Sequence, residues 1–521
     1  MVGSAFRSSV FIASAATLAV ANAVSQPPVF STTCNGKSYT YNELAGYGMV
    51  PSAARDKYGE SISMGSSIAF ASWEKDGSKY KGKMYALPDR GWNTHGTINY
   101  QPRVHEFTVS LTLSSEATVE NPAPPNVAFV YEDSILLSGP DGTPITGLDA
   151  DQDGGLEYPG FPTLPAATYP GDGFGGSGAG GKRVTVDAEA LVLDSDGGFW
   201  ISDEYGPYIY KFDKQGKMTE AIAPPDALLP VRNSVVSFAS NNPPVYDPSK
   251  SPVPADPVHG RQNNQGLEGM TISPDGKYLW VLLQSAARQE GGQKSSNRRH
   301  CRLLKYYIKK CGDRYAKVYK AEYVVPLPVF KDETGKTLVA AQSELHFISD
   351  TQFFFLPRDS GRGHAMKNTT SIYRHVDIFD ISEATNVKGP EHDSFNSSIA
   401  SLDGVLNDDI KPATVCPFVD FNINEQLNRF GLHNGGPQDG ALLNEKWEGI
   451  SLLPVNAEDK MGNSDGDEYF LFASSDNDFV AQNGFTNFGK MPFTDDSGYD
   501  LDNQMLVFRV TLPKGSKPLV G

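Results

Sequence analysis

The chain has 521 residues, a formal net charge of −17, 39% hydrophobic residues and 11% aromatic residues. This composition is typical of a globular protein and excludes an intrinsically disordered one. The negative charge argues against nucleic acid or an anionic membrane as a partner of the surface as a whole. Short β-branched and aromatic runs, separated by many of the 51 glycines and 36 prolines, favour a mostly β fold.

The first predicted element is a signal peptide over residues 1–23. Arg7 precedes an apolar run, and residues 21–23 form a small-x-small cleavage site. The run is short for a membrane span, and no later stretch approaches the length of one. We therefore expect a secreted, extracellular protein in which residues 24–521 form a single domain with its core at about 45–512.

A pattern of glutamate, strand, turn, second strand and polar cluster recurs along the chain. The copy "DAEALVLDSDGGFWISDEY" begins at residue 187, and similar copies begin at residues 266, 342 and 446. Their glutamates are Glu189, Glu268, Glu344 and Glu448. A weaker copy covers residues 65–93, and the region 126–137 is weaker still.

These repeats predict an all-β fold, a β-propeller of about six blades, and a count of seven stays open. A β-sandwich is disfavoured because it would show alternating strands without a shared order of glutamate, strand, turn and charge. The segments 156–181 and 223–260 are rich in proline and glycine, and we expect them to be long loop insertions.

Four cysteines in an oxidising compartment allow three disulfide pairings. Cys301 and Cys311 flank a segment that can form a hairpin, so we expect them to pair with each other. Cys34 and Cys416 would then form the second bridge. Two sequons in polar loops predict a glycoprotein. The predicted glycosylation sites are Asn368 and Asn396.

The repeated acidic residues predict a metal site. The inner strand of every propeller blade lines the central channel, so residues at equivalent repeat positions should point to one opening. Carboxylates held together repel one another unless cations neutralise them, and an oxygen-rich set favours calcium over zinc. The predicted metal ligands are Glu189, Asp203, Glu204, Glu268 and Glu448. A structural role, in which the glutamates lock neighbouring blades together, is an open alternative.

The ends of the same repeats supply cations that suit a small anionic substrate. The predicted substrate-binding residues are Arg90, Arg358, Arg362 and His346. Three acidic residues are predicted to be catalytic, as ligands or as the base for an attacking water. They are Glu189, Glu268 and Asp203. We expect the protein to be a monomer, with no nucleic acid and no membrane as partners.

Four segments resemble the phytase-like domain family, whose name refers to an esterase-like activity of phytase. They are "DAEALVLDSDGGFWISDEYGPYIYKFDKQGKM", "NQGLEGMTISPDGKYLWVLLQS", "LPDRGWN" and "KWEGISLLP". The resemblance covers most of the chain and implies a propeller that hydrolyses phosphate esters such as inositol phosphates. Two alternatives stay open: a calcium-dependent lactonase or carboxylesterase, and a non-catalytic extracellular propeller that binds a ligand or partner.

Overall fold

A computed structural model describes residues 27–312, 314–457 and 467–521. Within these ranges the chain is almost entirely β, and five antiparallel sheets of four or five strands form a β-propeller-like ring. The predicted signal peptide at residues 1–23 lies outside the described residues. None of the helices in the described ranges has both the length and the apolar character that a membrane crossing requires.

Each of the five sheets is one blade, and strands that neighbour in a sheet run antiparallel. Blade one contains Ser67–Phe70, Glu74–Asp76, Lys79–Leu87, Arg103–Thr112 and Val127–Leu136. Blade two contains Ala188–Leu193, Phe199–Asp203, Ile209–Phe212 and Met218–Ile222. Blade three contains Leu267–Ile272, Tyr278–Leu283, His300–Cys311 and Arg314–Pro326. Blade four contains Ala341–Phe347, Gln352–Arg358, His375–Asp380 and Thr414–Asp420.

Blade five is assembled from both ends of the chain. Its strands, from the channel outwards, are Lys446–Pro454, Glu468–Asp476, Asn503–Thr511, Lys37–Val50 and Phe30–Cys34. The inner strands of blades one to five contact one another in order, and blade five returns to blade one. The N-terminal strands therefore close the ring by completing a blade that C-terminal strands begin.

The hydrophobic core lies between neighbouring blades. Five clusters of buried side chains fill the five interfaces of the described ring. A buried tryptophan belongs to four of these clusters, and aromatic side chains bury a large apolar area. These tryptophans are Trp73, Trp200, Trp280 and Trp447. Because each blade is apolar on both faces, no blade is a stable unit without its neighbours.

The predicted number of blades was wrong by one. Residues 126–137, which we expected to begin a sixth blade, form instead the outermost strand of blade one. This strand, Val127–Leu136, pairs with Arg103–Thr112, and its side chains alternate between the interior and the solvent. An outer strand shows the same alternating pattern as a repeat, so hydrophobicity alone does not distinguish the two.

The two predicted disulfides have different outcomes. The bond between Cys34 and Cys416 is formed, which confirms that prediction and ties blade five to blade four. The expected bridge between Cys301 and Cys311 was wrong, because both thiols are free. They lie at opposite ends of the single strand His300–Cys311, and an extended strand of this length holds its ends far apart. The hairpin turn follows Cys311 rather than separating the two cysteines.

The remaining regular elements are short and lie in the insertions and loops. The two-stranded hairpins are Ala166–Tyr169 with Gly181–Val184, Val231–Arg232 with Val235–Val236, Val329–Lys331 with Thr337–Val339, and Gly484–Thr486 with Met491–Phe493. The helical turns are Asp226–Leu228, Arg288–Glu290, Pro390–Asp393, Asn424–Leu427 and Asn428–Phe430. The long insertions thus carry small hairpins of their own.

Candidate functional site

A β-bulge interrupts the inner strand of blades two to five at the position of the repeated glutamate. The bulges lie between Ala188 and Leu191, Leu267 and Met270, Gln342 and Leu345, and Trp447 and Gly449. A bulge adds an unpaired residue and redirects the side chains beside it. This shared irregularity turns Glu189, Glu268 and Glu448 into the central channel, where they line one cavity.

Glu344 does not join the other three glutamates. In blades two and three the glutamate is the first of two bulged residues, whereas in blade four Ser343 is first and Glu344 second. A shift of one residue along a strand reverses the direction of a side chain. Glu344 consequently lines a separate cavity and accepts hydrogen bonds from the Ser67 hydroxyl and the Met270 backbone. Here the structural alternative fits, because these bonds join three blades.

The cavity that Glu189, Glu268 and Glu448 share, called the central cavity here, has a volume of about 230 Å³. Its carboxylates are Asp89, Asp187, Glu189, Glu204, Glu268, Glu448 and Asp478. Its cations are Arg90, Arg358 and Lys446, and its amides are Asn93, Asn264 and Gln284. Seven carboxylates against three cations leave an excess of four negative charges if every group is ionised. Such an excess in a buried space requires protonation or bound cations.

Several carboxylate oxygens in the central cavity have no hydrogen-bond donor. Both oxygens of Glu204, Oδ1 of Asp187 and Oε2 of Glu268 are buried and unpaired. One carboxylate oxygen from each of Asp187, Glu189 and Glu204 lies within 4.8 Å of the others. Buried polar atoms are almost always paired, so orphaned oxygens that converge in this way fit a hard cation.

The three cations of the cavity are already paired with carboxylates. Arg90 donates to Asp187, and Arg358 Nη2 donates to Glu448 at 2.6 Å. Lys446 Nζ lies 2.8 Å from Asp478 and 3.2 Å from Asp476. These pairs leave four carboxylates in excess, of which Glu189, Glu204 and Glu268 belong to blades two and three and Asp89 follows a strand of blade one.

Burial and repulsion shift the titration of the acidic residues. Burial, followed by the charge of Glu268, raises the pKa of Glu189 well above its usual value. Burial and the charge of Glu204 do the same to the pKa of Glu268. Burial raises the pKa of Glu448 to about 6, although Lys446 opposes the shift. Without added cations, these carboxyl groups therefore hold protons at a pH at which exposed glutamates are ionised.

Asp203, which we predicted as a catalytic and metal-binding residue, lies beside the cavity and has a different bonding pattern. Its Oδ1 accepts hydrogen bonds from the backbone of Asp187 at 2.9 Å and Tyr205 at 3.0 Å. Its Oδ2 accepts from the Gly206 backbone at 3.0 Å and the Tyr210 hydroxyl at 2.9 Å. Asp203 therefore shapes the turn that presents Glu204, and all of its oxygens are engaged.

Two predicted substrate-binding residues lie away from the central cavity. Arg362 pairs with Glu333 and donates to the carbonyl of Thr370 at 3.1 Å. His346 Nε2 lies 3.1 Å from the carbonyl oxygen of Leu519 and lines the same separate cavity as Glu344. In contrast, Arg90 and Arg358 line the central cavity.

Lys446 and Asp187 are site residues that the prediction of ligands left out. Each precedes a repeated glutamate by two positions, and strand side chains two apart point to the same face. Applying this two-residue spacing to the glutamate of every repeat would have predicted both residues as part of the site. Asn264 is a third such residue, and its φ of 50°, uncommon for a residue other than glycine, is visible only in the structure.

Residues 74–479 match the family described as "Phytase-like: Esterase-like activity of phytase". This chain belongs to the phytase-like family. A relative from Arthroderma benhamiae, named "Uncharacterized secreted protein", is 50% identical over 471 residues, which are 88% of this phytase-like chain and 91% of the relative.

Two solved structures are similar to this phytase-like chain at low identity and low TM-score. A luciferin-regenerating enzyme is 11% identical, covers 88% of this chain and 98% of its own, and has a TM-score of 0.26. Virginiamycin B lyase from Staphylococcus aureus is 10% identical, covers 82% of this chain and 99% of its own, and has a TM-score of 0.21. Similarities at this level imply nothing about activity.

Proposed function

We propose that this protein is a secreted hydrolase that cleaves phosphate esters at the central cavity with the help of a bound calcium ion. The observation that carries the proposal is the excess of four negative charges around one cavity, with unpaired oxygens on Glu204 and Glu268. An anionic substrate would be repelled by this cavity unless cations were bound there. Secretion is supported by the relative from A. benhamiae, whose name describes a secreted protein.

The residues that would hold the ion are Asp187, Glu189 and Glu204, because their oxygens converge. Carboxylate and amide oxygens are the ligands that calcium prefers, and Asn264 supplies an amide to the same cavity. When bound, calcium would supply positive charge that offsets the carboxylates and polarises a phosphoryl oxygen. The chain's own cations, Arg90 and Lys446, would keep the neighbouring carboxylates in position.

Glu268 is the residue that would move a proton. Its Oε1 accepts a hydrogen bond from Gln284, which fixes the carboxyl group, while Oε2 is free of donors. A fixed carboxyl group with one open oxygen and a raised pKa is suited to accept a proton from water and to return it to the leaving alcohol. Gln284 thus acts as a positioning residue for Glu268.

Phosphate release by the purified secreted protein tests the proposal. The substrates would be glycerol phosphate, benzyl phosphate, inositol hexakisphosphate and a carboxylic ester, each measured with calcium and with a chelator. We expect phosphate release that stops with chelator and returns with calcium. Activity that the chelator does not change, or cleavage of the carboxylic ester alone, would contradict the proposal.

A pair of matched variants separates the site from the fold. Glu189→Gln should lower calcium affinity and activity, and excess calcium should restore part of the activity because occupancy follows mass action. Glu344→Gln changes the equivalent repeat residue at the separate cavity, where an amide oxygen can still accept from Met270. It should leave calcium affinity, measured by titration calorimetry, at the parent value.

A further inference from the structure

A second cavity adjoins the central one and has a different lining. This side cavity also measures about 230 Å³, and Lys446 and Asp478 line both cavities. Most of its accessible surface is apolar and includes the side chains of Met366, Val480 and Leu501. Its polar lining includes the carboxylates of Glu445, Asp476, Asp478 and Asp495 and the side chains of Thr94, His95 and Ser497. A polar head at Lys446 and an apolar wall beyond it match a molecule with one charged end and one apolar end.

The apolar wall is held in place by backbone hydrogen bonds. Val480 and Leu501 are 6% and 4% exposed, and the Leu501 backbone donates to the Val480 carbonyl at 3.0 Å. Next to Met366, Ala365 has a φ of 64°, and its N–H donates to Gln438 at 3.0 Å. A left-handed backbone costs energy for alanine and is retained where the surrounding structure enforces it, often at binding sites. The wall is therefore formed before a ligand arrives.

We propose that the side cavity binds the apolar alcohol part of the substrate, so that the preferred substrates are phosphate monoesters of aromatic or similarly sized apolar alcohols. This inference rests on the proposed function, because the phosphoryl group would lie in the central cavity. An apolar cavity of roughly 150 Å³ is sufficient for a benzene ring, so this cavity has room for a substituted ring. A polyphosphorylated cyclitol would place phosphate groups against these apolar side chains and beside the carboxylates of Glu445 and Asp495, which would repel them.

Benzyl phosphate and glycerol 1-phosphate test the proposal, because their alcohols are of similar acidity and differ mainly in polarity. We expect kcat/KM to be at least about tenfold higher for benzyl phosphate, the effect of a few buried carbon atoms. Met366→Asp should remove that preference by lowering kcat/KM for benzyl phosphate much more than for glycerol 1-phosphate. Val480→Thr, which keeps the shape and adds a hydroxyl, should reduce the preference.

The control is Met491→Asp, the same change at another half-buried methionine that lines neither cavity. It should leave the preference intact. Equal kcat/KM for the two esters, or an equal loss for both esters in Met366→Asp, would overturn the inference. If no ester is hydrolysed, the proposed function fails, and a binding measurement then tests the side cavity independently. Tighter binding of benzylphosphonate than of methylphosphonate, abolished by Met366→Asp, would then support it, and equal binding would refute it.

Discussion

Replacing Lys446 by methionine probes the charge balance of the central cavity. Methionine keeps much of the apolar stem and removes the ammonium group. Lys446 Nζ lies within 4 Å of four carboxylates and is 20% exposed at the side chain. The variant therefore removes one partly buried cation and raises the excess of negative charge on the cavity lining from four to five.

The size of the effect follows from these distances. Two unit charges 4 Å apart attract each other by about 4 kcal/mol at an effective dielectric constant of about 20. The cost of desolvating the charges offsets much of the summed attraction between Lys446 and its four carboxylate partners. Removal of one member of a buried ion pair costs about 3–5 kcal/mol. We expect Lys446→Met to lower the free energy of unfolding by that amount at pH 8 without calcium. The loss should be smaller at pH 5, because Asp89 and Glu448 have pKa values of about 8 and about 6 and become protonated.

The assay is urea denaturation at pH 5 and pH 8, followed by tryptophan fluorescence. The matched control is Lys411→Met, which breaks a pair with Glu383 in which both side chains are more than half exposed. An exposed pair contributes less than about 1 kcal/mol, so the control should be almost as stable as the parent. A loss below 1 kcal/mol in Lys446→Met, or one that is the same at both pH values, would refute the account of the cavity as a charge-balanced cluster.

Three further predictions concern pH, the disulfide and glycosylation. Burial and Asp476 raise the pKa of Asp89 to about 8, so the folded state holds this proton more tightly than the unfolded chain. The calcium-free protein should therefore lose stability as the pH rises from about 4 to about 8, and saturating calcium should reduce the slope in denaturation curves. Cys34→Ser should cost about 2–5 kcal/mol by the same measurement, whereas Cys311→Ser, at an exposed free thiol, should have almost no effect. Both sequon asparagines, Asn368 and Asn396, are exposed, so endoglycosidase should lower the mass of protein from a secretory host, and unchanged mass would contradict this.

Repeat reasoning predicted the architecture and three of the channel glutamates, because the pattern of strand and turn reflects local chemistry. It failed at Glu344, where the bulge in blade four begins one residue earlier than in blades two and three. Leucine follows Glu344, whereas alanine or glycine follows the glutamates of the other blades. The Cβ of a side chain at Gly269 would lie 2.5 Å from the backbone of Glu344 and Leu345, so neighbouring blades fit together through such small residues. This contact between blades determines where the bulge begins in the inner strand of each blade. The sequence of a single repeat carries no pattern that reports it.

The hydrogen bonds of Asp203 were also beyond prediction from sequence. Asp203 and Glu204 are adjacent acidic residues at the end of one strand, and both are buried. Four donors converge on Asp203, whereas none reaches Glu204. The difference depends on the turn at residues 203–206 and on the Tyr210 hydroxyl of the next strand. Tertiary geometry therefore decides which of two identical charges is structural and which is open to a ligand.

The central cavity is asymmetric although the ring repeats. The position two residues before the glutamate is Asp187 in blade two, Gly266 in blade three and Lys446 in blade five. Four of the five cavity carboxylate oxygens without a hydrogen-bond donor belong to Asp187, Glu204 and Glu268 in blades two and three. The fifth, Glu448 Oε2 in blade five, lies 3.6 Å from Lys446 Nζ, next to the side cavity. A cation would therefore bind on one side of the channel, and an apolar group would extend away from it on the other. Unlike residues at equivalent repeat positions make the two sides of the channel chemically different in a nearly symmetric ring. A substrate with one charged end and one apolar end matches these two sides.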